Sequence, residues 1–211
     1  IIGLIGPNGA GKSTFFNCLT GDLAVTAGTV AFAGKDVTRL PPEARAGLGL
    51  ARTFQVPLTF ESMSVLDNAT IGALLRHHNA REARGKAREV LQRVGLGHVI
   101  DAPARSLGTP GRKRLEIARA LASEPKVLLL DEAMAGLTPT EIQDAIALVR
   151  RIHEGGITIV IVEHIMEVIV SLTRRVVVFH QGREIARGTP REVTSNPAVI
   201  EAYLGRRKVR H

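Results

Sequence analysis

Gly6, Gly11, Lys12 and Ser13 are the residues whose types and spacing point most directly to chemistry. In the run Gly6-Pro7-Asn8-Gly9-Ala10-Gly11-Lys12-Ser13-Thr14, glycines let the backbone wrap around phosphate oxygens and turn successive N–H groups inward. A lysine placed as Lys12 is can reach β- and γ-phosphates, and the Ser13 hydroxyl can ligate Mg2+. A second pair, Asp131-Glu132, offers two carboxylates side by side. Asp131 can hold Mg2+ directly or through water, while Glu132 can polarise an attacking water. His164, preceded by Glu163, is a candidate γ-phosphate contact, although most isolated histidines are exposed or structurally bonded. Gln55 closes a short apolar stretch; a lone glutamine of this kind is usually only solvated. The chemistry these residues support is binding of a nucleoside triphosphate. No metal-ligand spacing, internal repeat or nucleophile–base arrangement accompanies them.

The elements that must position these groups are legible around them. Ile1–Ile5 is a short apolar run that reads as a buried strand feeding the glycine loop, and Phe15, Phe16 and Leu19 continue it as a helix. That helix N-terminus would aim its positive end at the nucleotide. Gly28–Gly34 reads as a strand bounded by glycines, Pro41-Pro42-Glu43 opens a short helix, and Leu48–Gln55 reads as a strand ending on a polar side chain. From Ser64 to about Gly95 the period is helical, first through Leu66, Ala69, Ala73 and Leu74, then through a charge-rich helix read as having a wet face. Ser106–Gly111 is a loop by composition, leading into an amphipathic helix over Arg112–Ala122. Lys126 leads into the all-aliphatic strand Val127–Leu130, which delivers Asp131-Glu132, as expected at the centre of a parallel sheet with ligands at its carboxyl end. Thr138-Pro139-Thr140-Glu141 starts a helix with a capping box that runs to about Glu154. Ile157–Val162 is a further buried strand ending at Glu163-His164. Arg175–His180, Gln181-Gly182 and Arg183–Ala186 read as a hairpin, and two short helices follow from Thr189-Pro190 and Asn196-Pro197.

Composition narrows the class. A chain of 211 residues, 45% hydrophobic and mostly aliphatic, suits one α/β domain with a smaller subdomain. Aromatics are 3%, too few for base-stacking platforms, so no nucleic acid is expected. The net charge of +8 could suit nucleic acid or an anionic membrane, but its one cluster, Arg206-Arg207-Lys208-Val209-Arg210, reads as a solvated tail. The single Cys18 forms no disulfide framework, implies a reducing compartment, and reads as packing. No apolar run approaches the roughly 18 residues of a membrane span, and no signal peptide is seen, so a soluble protein is expected. There is no initiator Met, and an upstream segment is expected to precede Ile1.

Taken together and in order, these motifs resemble those of the ATP-binding subunit of an ABC transporter over essentially the whole chain. Gly6–Ser13 resembles the phosphate loop, Gln55 the Q-loop, Leu107–Gly111 the signature, Val127–Glu132 the second nucleotide motif, Ala135–Thr138 the D-loop and His164 the switch histidine. Arg52–Gln55, Arg114–Arg119 and Gly188-Thr189-Pro190 through Ile200–Gly205 look most like branched-chain amino-acid importers. The resemblance implies a mainly parallel phosphate-loop α/β fold, with a core at 1–60 and 109–211 and a helical subdomain inserted at about 61–108. It implies ATP contacts from Gly6, Asn8, Gly9, Ala10, Gly11, Lys12, Ser13, Thr14 and Gln55, and Mg2+ held by Ser13, Gln55 and Asp131. Glu132 and His164 would be catalytic; Leu107, Gly108, Thr109 and Gly111 would face the ATP of a second ATPase subunit, identical or different. Transmembrane permease subunits would be direct partners and a solute-binding protein an indirect one, with the chain on the inner, cytoplasmic face of the membrane. ATPases for another cargo and a low-turnover regulatory partner in an asymmetric pair are the alternatives. Two departures stand out. The signature usually reads Leu-Ser-Gly-Gly-Gln, or in this branch something like Leu-Ser-Tyr-Gly-Gln, whereas here it is Leu107-Gly108-Thr109-Pro110-Gly111. The family's adenine-stacking aromatic lies upstream of the loop, before this sequence begins. Ala133, where a proline commonly follows the catalytic glutamate, is a minor difference.

Overall fold

A computed structural model describes residues 1–204; the basic run Arg206–Arg210 lies outside the described residues. In chain order, strand β1 (Ile2–Ile5) is followed by helix α1 (Lys12–Thr20), the two-residue strands β2 (Ala31–Phe32) and β3 (Lys35–Asp36), α2 (Pro42–Leu48) and β4 (Leu50–Arg52). Helices α3 (Val65–Ala73), α4 (Ala80–Arg93) and α5 (Thr109–Ala122) come next, with 3₁₀ turns at Gly97–Val99 and Ala104–Ser106. The chain then runs through β5 (Val127–Asp131), α6 (Pro139–Glu154), β6 (Thr158–Val162), α7 (Met166–Leu172), the hairpin β7 (Arg175–His180) and β8 (Arg183–Gly188), and ends in α8 (Pro190–Thr194) and α9 (Pro197–Leu204).

The main sheet has six strands in the order β4-β5-β6-β1-β7-β8. All neighbouring pairs are parallel except β7 with β8. Because β4, β5, β6 and β1 are parallel, their carboxyl ends share one edge, and the polar residues that close each strand arrive there together. The centre is as apolar as its sequence demands: Leu128, Leu129, Leu130, Ile159 and Ile161 are at most 1% exposed.

Local chemistry sets the helices. Thr138 and Glu141 form the expected capping box on α6, with Pro139 in the first turn. Ser64 caps α3 through the Asp67 N–H, and Asn79 caps α4 through the Arg81 N–H. Helix α4 buries Ala83, Ala87, Val90 and Leu91, while its charges make ion pairs such as Arg84 to Asp67 and Lys86 to Glu89. Helix α3 approaches α5 very closely, since a Cβ on Gly72 would lie 2.0 Å from the Arg119 carbonyl oxygen.

Three local expectations are corrected. Gly28–Gly34 is not a strand: only Ala31–Phe32 pairs, in an antiparallel ribbon with Lys35–Asp36 apart from the main sheet. Its residues have little face to bury, so hydrophobic drive does not extend it. Leu48 belongs to α2, which Gly49 ends in a left-handed conformation before β4 begins at Leu50. Helix α5 starts at Thr109, not Arg112, because Pro110 sits in a first turn that needs no N–H from it.

Candidate functional site

The loop between β1 and α1 forms where its glycines demand. Gly6 has φ +157°, and a Cβ there would meet the Phe179 carbonyl oxygen at 2.2 Å, so no other residue fits against β7. Gly11 precedes α1 at φ 99° with no side chain capping the helix, and the first turn contains no acidic residue. The N–H groups of that turn are left for an anion, with the helix dipole behind them. The hairpin turn braces the loop from beneath: Gly182 N–H donates to the Ala10 carbonyl (3.0 Å), and Phe15 packs edge-on against Phe179 at 5.3 Å.

A cleft of about 440 Å³ opens over this loop, lined by Asn8 to Thr14, Gln55, Glu132 and His164. Residues far apart in sequence are thus brought to one place. Gln55 Nε2–H donates to Glu132 Oε2 (2.6 Å), and His164 Nε2 meets Glu132 Oε1 at 2.7 Å. Facing a carboxylate oxygen, that imidazole nitrogen carries the proton. Ser13 and Thr14 are exposed at the cleft. Lys12 is 6% exposed, and its ammonium donates to the carbonyls of Gly6 (2.8 Å) and Pro7 (3.1 Å). Burial pushes its pKa down, while Glu132 and Asp131 pull it back up.

Asp131 is not at the cleft surface. It is 3% exposed and lies against Arg52, whose Nη2 is 3.3 Å from Oδ2. Burial raises the Asp131 pKa and the Arg52 charge opposes that rise. Arg52 also reaches Asn17 (2.6 Å) on α1 and Asp22 (3.2 Å), tying β4 to the helix behind the loop. Glu132 has φ +48°, a left-handed conformation that costs a non-glycine residue about 1–3 kcal/mol unless its surroundings impose it. Here its N–H donates to Val162 (2.9 Å), and its carbonyl accepts from Ala135 N–H (3.1 Å) and Lys113 Nζ (3.0 Å). Glu163, 2% exposed, accepts the Met134 N–H at 2.8 Å from the same turn, with burial raising its pKa.

Leu107, Gly108, Thr109 and Gly111 stand elsewhere, around the start of α5, and none lines the cleft. Cys18, expected to pack, is partly exposed beside a second opening next to the loop. Sequence reasoning missed Arg52, Lys113, Glu116 and Glu163. Arg52 and Glu116 lie within runs that resemble the branched-chain importers, and Glu163 stands before His164 at a strand end; Lys113 carried no signal.

A glycine loop joining a strand to a helix, with carboxylates and a histidine at neighbouring strand ends, defines a phosphate-loop protein built to bind a nucleoside triphosphate. The description "ABC transporter" matches residues 1–135, and "Branched-chain amino acid ATP-binding cassette transporter" matches residues 183–209. The chain belongs to the ABC transporter family, in its ATP-binding branch. It is 37% identical to the high-affinity branched-chain amino acid transport ATP-binding protein BraF of Pseudomonas aeruginosa, over 97% of this chain and 87% of that protein. It is 38% identical to the LivG protein of the same description from Escherichia coli K12, with the same shares covered. In structure it resembles the ADP conformation of MJ1267, an ATP-binding cassette of an ABC transporter, with a TM-score of 0.87, 33% identity, and 98% of this chain and 88% of that one covered.

Proposed function

We propose that this chain binds and hydrolyses ATP to power an ABC importer whose cargo is branched-chain or related hydrophobic amino acids. The observation that carries the hydrolytic part is the single carboxylate of Glu132, held between Gln55 and His164 beside the phosphate loop. The cargo rests on the names of the relatives and on the match at 183–209.

Asn8 to Thr14 wrap the phosphates, and Lys12 leaves the Gly6 and Pro7 carbonyls to hold the β- and γ-oxygens. Glu132 takes a proton from the attacking water as its oxygen bonds to the γ-phosphorus and the bond to ADP breaks. His164, released from the other carboxylate oxygen, donates its Nε2–H to the γ-phosphate. Two oxygen donors suited to Mg2+ line the cleft, the Ser13 hydroxyl and the Gln55 amide oxygen, and Asp131, buried against Arg52 behind them, would act on the ion through water. Held there, the ion would supply positive charge against the phosphates.

The Leu107, Gly108, Thr109 and Gly111 segment, lying outside the chain's own cleft, serves the ATP of a second ATPase subunit packed head to tail. Helices α3 and α4 belong to the inserted helical subdomain at about 61–108, against the core of 1–60 and 109–211, and transmembrane permease subunits complete the transporter. Among the described residues no helix is long and apolar enough to cross a membrane, which fits an ATPase docked on the inner face. Gly108 and Pro110 favour a second reading, a slow subunit paired with a faster one. Two variants test the proposal: Lys12→Ala should abolish ATP binding, and Glu132→Gln should keep binding, stop turnover and accumulate an ATP-dependent dimer by size-exclusion chromatography. Wild-type turnover in Glu132→Gln refutes the assigned role.

A further inference from the structure

Helix α5 carries Lys113, Glu116 and Arg119 at three-residue spacing, a repeat that stacks side chains along one helix face. Each ends on the backbone of the site. Lys113 Nζ donates to the Glu132 carbonyl at 3.0 Å. Glu116 accepts the Phe54 N–H at 3.0 Å, and Arg119 donates to the Leu58 carbonyl. One helix thus holds the chain on both sides of Gln55 and the backbone of Glu132, whose side chains then meet at 2.6 Å.

Lys113 is 7% exposed and Glu116 3% exposed, and neither lines the cleft. An ammonium is costly to bury unless it is paired and hydrogen-bonded. Lys113 has the hydrogen bond, its ammonium donating to the Glu132 carbonyl; burial lowers its pKa, and the carboxylates of Glu163, Glu116 and Glu132 favour its charge against that. Glu163 in turn takes the Met134 N–H from the far side of the same turn. The bond from Lys113 falls on Glu132, a left-handed residue whose side chain lines the cleft. A hydrophobic side chain would fill the space as well but would leave that carbonyl to the Ala135 N–H alone.

We infer that Lys113 is a positioning residue for Glu132: it locks the left-handed turn and joins the helix that begins at the signature to this chain's own hydrolytic site. The inference rests on the reading of Glu132 as the group that acts on water. Removing Lys113 alone would strand buried carboxylates, so the variant of choice is Lys113→Met with Glu163→Gln, whose amide oxygen can still accept the Met134 N–H. Turnover of radiolabelled ATP by the full chain, with ATP affinity measured separately, gives the readout. The expected result is a kcat lower by about 10²-fold with ATP Kd changed by no more than about twofold, as for a displaced reacting group. Lys113→Arg, which keeps the charge and a donor, should retain most of the rate. A wild-type kcat in the double variant, a parallel loss of kcat and affinity, or an equal loss in Lys113→Arg overturns the inference. If the double variant does not fold, Lys113→Gln, uncharged and one atom shorter, must show the same split, and its absence overturns the inference. A Glu132→Gln control that still hydrolyses ATP overturns instead the reading of Glu132, so the two failures are told apart.

Discussion

Changing Gly108 to serine and Pro110 to glycine together should make the isolated chain hydrolyse ATP faster, by roughly 10²-fold or more. Gly108 has φ −67° and ψ 174°, an extended conformation any residue adopts, and it is the N-cap of α5 with no side chain to offer. A Cβ there meets only Pro110 Cδ at 3.8 Å, an ordinary contact, so serine fits without rearrangement. Pro110, in the first turn, has no N–H to donate. Serine in place of glycine at an N-cap gains a few tenths of a kcal/mol. Glycine in place of proline loses about 0.4–1 kcal/mol by freeing the unfolded chain. The fold is therefore nearly indifferent to the pair. Each restored donor aimed at developing charge lowers the barrier by about 2.7–4 kcal/mol, so the kinetic term dominates. On the proposal that one chain's signature serves its partner's nucleotide, the assay is turnover by the purified chain as a function of protein concentration. Each single variant should give part of the gain. Mixed with a partner of intact signature, the wild-type chain should already be active at the site built on its own phosphate loop. If the double variant is no faster while nucleotide binding and dimerisation are normal, the signature does not limit this protein and the reasoning fails.

Two further outcomes follow from packing and from charge. Gly72→Ala pushes a methyl group to within 2.0 Å of the Arg119 carbonyl oxygen, so urea unfolding should show a loss of about 1–3 kcal/mol or more, with the midpoint lowered. An unchanged midpoint would mean that α3 and α5 can separate freely. Glu141 accepts the Thr138 N–H at 2.7 Å, and hydrogen bonds from Thr138 hold its carboxyl below the ordinary glutamate value. A carboxylate with a depressed pKa stabilises the fold above its unfolded value and loses that contribution as pH falls through its folded value. The Tm difference between wild type and Glu141→Gln should therefore be constant above about pH 4.5 and close below it. A pH-independent difference would exclude the charge as its source.

The parts of the site legible in sequence are those in which a strand and its polar terminus are contiguous. Leu128–Glu132 and Ile159–His164 each carry their burial and their chemistry in one short run, and the glycine loop carries its conformation as well. The groups that hold them are not contiguous with them. Arg52 and Asp131 are 79 residues apart, and Glu116 and the Phe54 N–H are 62 apart. In sequence, Lys113, Glu116 and Arg119 are simply the polar members of an amphipathic helix. Their burial becomes visible only when α5 is laid against the ends of β4 and β5. Strand order is hidden for the same reason: β1 lies between β6 and β7, pairings decided by distant segments and not by the pattern within any strand.

The charges of the site are matched internally, and this bears on how a nucleotide enters. Lys12 is held by carbonyls of its own loop, Asp131 by Arg52, and Glu132 by Gln55 and His164 together. For Lys12, an incoming triphosphate replaces two neutral carbonyl partners with anionic oxygens, and hydrogen bonds between charged groups are the stronger ones. The N–H groups of the uncapped first turn of α1 are different, because no side chain has to be displaced from them. Binding energy should therefore come from the loop, the helix N-terminus and the Lys12 charge together. In the proposed reaction, Glu132, Gln55 and His164 then act on the later step, in which their mutual bonds break around the attacking water. That division explains why Lys12 and Glu132 are expected to fail differently when substituted, one in affinity and the other in turnover.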